Sequence, residues 1–329
     1  MKNKLVPIAI ISDNKIAFSV ATLIINILKI CDEKTFYEIN VVVTSDFTEE
    51  NIDKIKSTED SNRCSINIIK MDDRFEDAKN GTGYISNAAA FRFCFGELFP
   101  QYSKILYLDT DIIVFEDLYE LYSIDLGNNY IAGVFSLGHY LNRRDLAEML
   151  FIPDLSNYVN SGVLLFNLEK IRENNIDAQL QSLVGTYKDS VDQHIFNRVC
   201  YGHIKKVHPK YNVTQTNINY YNSDIATIAY TYDDVKDAFE HPIIYHYTGP
   251  FKPWNSYNLK YHLIWYEYYK ETPYGAEPLI FKVCPYGLGI KKTVNKTKKR
   301  KYLCYKFLYN VLHIKFKFLK KKNMKYENI

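Results

Sequence analysis

An α/β fold built on a mainly parallel sheet is what this 329-residue sequence predicts, and three observations carry the expectation. Apolar runs of strand length recur through the first part of the chain. They are continuous rather than alternating, as in strands buried on both faces. Segments of helical length separate most of them, which is the pattern of parallel strands joined by right-handed crossovers.

Taken in order, Leu5–Ile11 is an unbroken apolar run and reads as the first strand. Ile16–Ile30 follows at helical length. Glu38–Thr44 is a β-branched second strand, Glu49–Lys56 a helix and Ser65–Lys70 a third strand. Ser86–Phe99 has a serine start, an alanine-rich interior and a Pro100 stop, the punctuation of a helix. Lys104–Leu108 is a strand that runs directly into Asp109. Beyond it, Tyr130–Phe135, Gly162–Asn167 and Ile243–His246 read as strands, and Ile176–Thr186, Val191–Cys200 and Ser256–Lys270 as helices. A break at Thr272-Pro273-Tyr274-Gly275 divides a domain-sized body, residues 1–272, from a basic, partly amphipathic segment, residues 273–329.

Charge is distributed unevenly between these parts. Lys291–Ile329 holds fourteen Lys/Arg and one acidic residue, a net +13, leaving 27 basic and 37 acidic residues, a net −10, in the remainder. An acidic body does not grip nucleic acid through its fold, so the expected partner of the tail is an anionic membrane surface. On a helical projection of Tyr302–Lys320, Lys306, Asn310, His313, Lys317 and Lys320 share an arc of roughly 80°, opposite an aliphatic and aromatic face that Lys315 alone interrupts with a charge. The six cysteines are scattered without zinc spacing, which points to a reducing compartment. Lys2, Lys4 and Leu5–Ile11 superficially resemble a signal peptide, but Asp13-Asn14-Lys15 interrupts the pattern. The expected location is cytoplasmic, peripheral at the inner face of the cytoplasmic membrane.

The residues that carry chemistry lie at strand ends. Asp109-Thr110-Asp111 follows Lys-Ile-Leu-Tyr-Leu directly, and ligands of open α/β sheets bind outside the carboxyl ends of strands. Two carboxylates one residue apart can converge on a hard cation that also takes diphosphate oxygens. A bare Asp-x-Asp is also what a solvated turn looks like. His246 ends the short strand Ile-Ile-Tyr and could supply a third ligand; a lone histidine is more often a satisfied core or surface residue. In the segment that follows it, Gly249 would let backbone approach a phosphate and Lys252 would neutralise one.

Together these segments resemble glycosyltransferase family 8, the group that includes bacterial lipopolysaccharide galactosyl- and glucosyltransferases and glycogenin. The resemblance runs from about Pro7 to Trp254 and rests on Leu-Tyr-Leu-Asp-Thr-Asp, Asn-Ser-Gly-Val-Leu-Leu-Phe-Asn at Asn160–Asn167, Asp192-Gln193, and His-Tyr-x-Gly-x-x-Lys-Pro-Trp from His246. It implies a GT-A nucleotide-sugar-binding fold, a Mn²⁺ ion (Mg²⁺ as the alternative) held by Asp109, Asp111 and His246, and retention of anomeric configuration. It further implies that Asp13 reads the uracil of a UDP-sugar, with Asn14, Ile16, Asp109 and Thr110 also at the nucleotide, and that Gly249 and Lys252 hold the diphosphate. Arg92, Asn160, Asp192 and Gln193 would line the donor-sugar pocket. Ile16 departs from the family pattern, which has an aromatic platform for the base at that position.

The expected reaction is hexosyl transfer, galactose or glucose, to a saccharide or lipid-linked acceptor in lipopolysaccharide or surface-glycan synthesis. No strong nucleophile is evident. Gln193 is a weak one, so front-face attack by the acceptor is favoured, with Asp192 and Gln193 as the catalytic pair and a covalent intermediate on Asp192 as runner-up. Two other classes compete: a nucleotide-sugar-binding protein without turnover, and a polybasic membrane or nucleic-acid adaptor.

Overall fold

The structure is a computed structural model that describes residues 4–75, 87–143, 145–187, 191–214 and 228–281. All belong to the first of the two compact units into which the chain divides, Met1–Cys284 and Pro285–Ile329. The basic segment's projected helix, Tyr302–Lys320, lies outside the described residues, as do Cys284 and Cys304.

The chain begins as β1 (Lys4–Ser12), α1 (Ala17–Ile30), β2 (Thr35–Val43), α2 (Glu49–Lys56) and β3 (Cys64–Lys70). Two lines of parallel pairing join β1 to β2 and β2 to β3. After 3₁₀ turns over Asn87–Cys94 come α3 (Phe95–Leu98), β4 (Lys104–Leu108), β5 (Ile112–Val114), α4 (Tyr119–Ser123) and β6 (Ile131–Phe135). Next follow α5 (Leu137–Asn142), α6 (Leu146–Leu150), β7 (Val159–Asn167), α7 (Leu168–Glu173), α8 (Ile176–Ser182) and α9 (Val191–Val199). The described part ends with β8 (Ile204–Lys206), β9 (Val213–Thr214), α10 (Tyr232–Glu240), β10 (Ile244–His246) and α11 (His262–Lys270).

Seven strands form the central sheet in the order β3-β2-β1-β4-β7-β6-β8. β4 continues the parallel set beside β1, whereas β7 runs antiparallel to both β4 and β6. A second sheet of three short strands, β5-β10-β9, stands beside it, with β10 antiparallel to β5 and parallel to β9.

Period-two side-chain alternation explains the layers. From β1, Val6, Ile8 and Ile10 enter one core with α1, while Ala9 and Ile11 enter a second core on the opposite face. β4 divides likewise: Leu106 and Leu108 join the α1 side, Ile105 and Tyr107 the side covered by α3, α7, α8 and α9. A sheet sandwiched in this way needs apolar residues at every position, and that is the continuous run seen in the sequence.

Three helical expectations are corrected. Residues 86–99 were expected to form one helix, but Asn87–Cys94 is 3₁₀ and only Phe95–Leu98 is α-helical. Phe91 to Phe95 are all buried, so this stretch has no solvent face, and a polar stripe with the α-helical period is missing. The expected helix from Ser256 starts only at His262 because Tyr261 is left-handed (φ 60°) and the Lys260 carbonyl accepts the Tyr247 hydroxyl instead of a helical N–H. The helix expected over 176–186 stops at Ser182, its last turn passing to i−3 bonds ahead of Gly185 at φ +82°.

Candidate active site and metal centre

Asp109 and Asp111 straddle the step between the two sheets. Asp109 follows β4 at its carboxyl end, Thr110 is buried between the two, and Asp111 immediately precedes β5. β10 pairs with β5 so that His246 lies opposite Ile112, which carries its imidazole to the aspartates. The ligand atoms of the three residues lie within 4.8 Å of one another. His246 Nε2 is 3.2 Å from Asp111 Oδ1 and 3.6 Å from Asp109 Oδ2.

Each carboxylate is oriented by its other oxygen. Tyr107, one turn of the strand pleat earlier, donates its hydroxyl to Asp109 Oδ1 at 2.5 Å. Lys252 pairs with Asp111 Oδ2 and also donates to the Tyr247 carbonyl at 2.9 Å. Burial works against the ionised Asp111, but the Lys252 ammonium beside it favours that form, and the carboxyl is held below the ordinary carboxylate range. Burial, opposed by Arg92 and reinforced by Asp111, pushes the Asp109 carboxyl up. One imidazole nitrogen and two carboxylate oxygens facing one point are a donor set for a divalent cation with mixed nitrogen and oxygen preference.

The floor beneath this cluster is β7. The Asp109 N–H donates to the Gly162 carbonyl at 2.8 Å, extending the β4–β7 ladder by one residue. A Cβ at Gly162 would fall 2.7 Å from Asp109 Oδ2, 2.9 Å from His246 Nδ1 and closer still to His246 Cε1. Only glycine leaves room there for the imidazole.

A buried polar network continues from this floor. Arg92, 4% exposed, donates to Asp192 Oδ2 at 2.5 Å and to the Ser161 carbonyl at 2.7 Å, and its guanidinium stacks 4.5 Å over the Tyr107 ring. Burial penalises the guanidinium, but Asp192, Tyr107 and Asp109 more than offset it and keep it charged. The Ser161 hydroxyl donates to the same Asp192 oxygen at 2.7 Å. Gln193 Oε1 accepts from Asn160 Nδ2 at 2.9 Å and from the Ser161 N–H, and its Nε2 donates to the Tyr158 hydroxyl at 3.0 Å. Asp192 and Gln193 occupy the first turn of α9, which Asn197 locks to β7 by bonding both the N–H and the carbonyl of Val159.

The residues expected at the nucleotide sit along the same edge. Asp13 follows β1, the parallel neighbour of β4, and its carboxylate accepts the Lys15 N–H at 2.9 Å. Asn14 ties β1 to α2: its Oδ1 accepts from the Thr48 N–H and Asn51, and its Nδ2 donates to the Asp46 carbonyl. Ile16 is half-buried. Gly249 has φ +83°, a left-handed turn in an exposed loop, and Trp254 anchors that loop by edge contacts with Phe18 and a tilted contact with Trp265. The structure thus brings Asp109, Asp111, His246 and Lys252 into contact. Arg92, Asn160, Asp192 and Gln193 form one network, and Asp13, Asn14 and Ile16 stand at the neighbouring strand end.

Sequence reasoning missed Gly162 as a steric requirement, and it missed Tyr107, Tyr158 and Asn212. Strand alternation could have found Gly162, which shares a face of β7 with Asn160. Asn212, fully buried and lying just before β9, carries no local signal at all.

Comparison with known proteins follows the same lines. The sequence model of glycosyl transferase family 8 matches residues 7–258. General stress protein A of Bacillus subtilis (strain 168) is 23% identical over 262 residues, covering 78% of this chain and 89% of that protein. The lipopolysaccharide 1,3-galactosyltransferase of Salmonella typhimurium is 29% identical over 182 residues, 52% of this chain, and the match spans only 50% of that enzyme's length. Among solved structures, galactosyltransferase LgtC with donor and acceptor sugar analogs superposes with a TM-score of 0.71 at 24% identity, over 81% of this chain and 96% of that one. The bifunctional WbbM glycosyltransferase gives 0.70 at 24% identity, over 82% of this chain and 50% of that one. These superpositions establish the fold as GT-A. With the match extending over most of its described body, the chain belongs to glycosyltransferase family 8.

Proposed function

We propose that this glycosyltransferase moves a hexose, galactose in preference to glucose, from a UDP-sugar to a saccharide or lipid-linked acceptor of a surface glycan, with retention and with Mn²⁺ bound. The observation that carries the reading is the convergence of Asp109, Asp111 and His246 beside the Arg92–Asp192–Gln193–Asn160 network. The first group suits a cation on a diphosphate, the second a sugar with several hydroxyls. A bound divalent cation supplies Lewis-acid stabilisation of the charge that develops on departing UDP.

The protein's own residues divide the remaining work. Lys252, already beside Asp111, is placed to turn toward diphosphate oxygens, and Gly249 lets its loop approach them. The bond between the sugar's anomeric carbon and the β-phosphate oxygen breaks, and its electron pair leaves with UDP. The acceptor hydroxyl forms the new bond on the same face, and its proton passes to the departing β-phosphate oxygen. Asp192 Oδ2 is engaged by both Arg92 and Ser161, and the Gln193 amide is held at both ends. Groups held in this way orient a sugar and are poorly disposed to attack it, which favours front-face transfer over a covalent step on Asp192.

Asp13 would accept the uracil N3–H. The basic segment 291–329, net +13, would hold the enzyme at an anionic membrane. No helix among the described residues is long and apolar enough to cross a membrane.

The deciding experiment measures UDP release from UDP-galactose and UDP-glucose with added Mn²⁺, with Mg²⁺ and with excess chelator. Activity should require the metal, and Asp109→Ala or Asp111→Ala should lower it by at least about 100-fold. Full turnover in chelator would remove the metal from the mechanism, and an NMR spectrum showing a β-linked product from an α-linked donor would remove retention.

A further inference from the structure

We propose that Asn212 is a positioning residue that fixes the tautomer of His246, so that the imidazole presents an unprotonated Nε2 to the two aspartates. The inference rests on the metal-centre reading and adds to it a residue with no assigned role.

The argument starts at a group that cannot flip. The Gly162 backbone N–H donates to Asn160 Oδ1 at 3.0 Å, so the oxygen of that amide must face β7. Asn160 Nδ2 then faces Gln193 Oε1 at 2.9 Å, which is confirmed at its own end because that oxygen also accepts the Ser161 N–H. Asn212 approaches the same Asn160 Oδ1 at 2.8 Å. An acceptor there requires a donor opposite it, so Asn212 must present its Nδ2.

The Asn212 oxygen is therefore turned the other way, to His246 Nδ1 at 3.0 Å. A carbonyl oxygen cannot donate, so Nδ1 must carry the imidazole proton. The proton-free Nε2 of the neutral ring points at Asp111 Oδ1 and Asp109 Oδ2. Three lone-pair donors facing one point repel unless a cation lies among them, and this tautomer is the one that makes the cluster a metal site.

Burial makes the arrangement stiff. Asn212 is 0% exposed and His246 3%, so no bulk water competes for either group. Asn212 itself is delivered by the 3₁₀ turn Pro209–Tyr211 at the start of β9, the parallel neighbour of β10. The same amide thus touches a metal ligand on one side and, through Asn160, the Gln193 carboxamide on the other. Orienting groups of this kind change metal affinity by about 10–100-fold when removed.

The test uses the full chain and Mn²⁺ itself. Mn²⁺ affinity is measured by calorimetry or electron paramagnetic resonance for wild type, Asn212→Leu and Asn212→Asp, with circular dichroism as a check on folding. In parallel, nitrogen-15 shifts of His246 are recorded in metal-free wild type at alkaline pH. Asn212→Leu, which removes the acceptor, should bind Mn²⁺ about 10–100-fold more weakly. Asn212→Asp keeps an acceptor toward Nδ1 but sets its second oxygen against Asn160 Oδ1, so it should lose clearly less affinity than Asn212→Leu without matching wild type. Wild type should show Nδ1 protonated and Nε2 bare. Undiminished affinity in a folded Asn212→Leu protein, equal losses in both variants, or an Nε2-protonated wild type would each overturn the proposal. If wild type binds no Mn²⁺, the metal reading fails, and the nitrogen shifts alone then decide the tautomer.

Discussion

Replacing Gly162 with alanine would add one methyl group at the point where β7 passes beneath Asp109, Asp111 and His246. Ordinary contact begins at about 3.4 Å, and the new Cβ would stand 2.7 Å from Asp109 Oδ2 and 2.9 Å from His246 Nδ1, so these atoms must retreat by roughly 0.5–0.7 Å. His246 Cε1, nearer still, must move further. Neither retreat is easy: Asp109 is tied to Tyr107 and His246 to Asn212. Displacements approaching 1 Å at a catalytic constellation cost about 100-fold, or about 2.7 kcal/mol of transition-state stabilisation. Overpacking of this size also costs about 1–3 kcal/mol of stability, which for a body of this length lowers the melting midpoint by a few degrees. The assay is metal-dependent UDP release with a parallel Mn²⁺ titration and thermal melt. Activity should fall about 100-fold and Mn²⁺ affinity with it, while the protein stays folded at assay temperature. A double-mutant cycle sharpens the outcome: in a His246→Ala background the clash with the ring is gone, and Gly162→Ala should cost much less than it does in wild type. Gly162→Ala with activity within twofold of wild type would refute the steric argument.

Three further outcomes are expected. If Asp13 accepts the uracil N3–H, UDP should bind at least tenfold more tightly than CDP in calorimetry, and Ile16→Tyr should tighten UDP by about 0.5–1.5 kcal/mol through stacking; equal UDP and CDP affinities would dismiss the role of Asp13. His262 is buried with its Nδ1 on the Pro253 carbonyl at 2.9 Å, and burial brings its pKa down to about 4. Between that value and the ordinary value of about 6.5 the unfolded chain binds more protons, so stability is complete above the window and lost as pH falls through it, by about 3 kcal/mol. Denaturant melts should show His262→Asn, which keeps an N–H for Pro253, with a flatter acid limb; an unchanged pH slope would count against it. Lastly, the full chain should float with liposomes containing anionic lipid at low salt and a chain ending at Ile290 should not, whereas equal behaviour of the two would dismiss the tail as an anchor.

Several elements of the body are legible without a structure. Leu5–Ile11 and Lys104–Leu108 announce strands buried on both faces, and Glu49–Lys56 forms a helix with the expected bounds because Thr48 caps it and acidic residues fill its first turn. Propensity, capping and period-two patterning act over a few residues, so a local reading suffices. The Asp109-Thr110-Asp111 placement at a strand end is legible for the same reason. The helix over 86–99 is misread because five consecutive buried residues carry no α-helical stripe, and the start of α11 because a tyrosine hydroxyl from β10's end takes the Lys260 carbonyl.

What the sequence by itself determined, then, is the succession of strands and helices in the parallel half and the kinds of residue standing at the strand ends. Tertiary structure alone decided how those residues meet. Lys252 reaches Asp111 across 141 positions, Arg92 reaches Asp192 across 100, and Asn212 bridges His246 and Asn160 across 34 and 52. The need for glycine at 162 likewise appears only once β7 lies under β10's histidine. Such pairings leave no trace in local pattern, because a hydrogen bond or a steric limit acts between atoms a few ångströms apart, and only the packed sheets bring distant stretches of chain to that range.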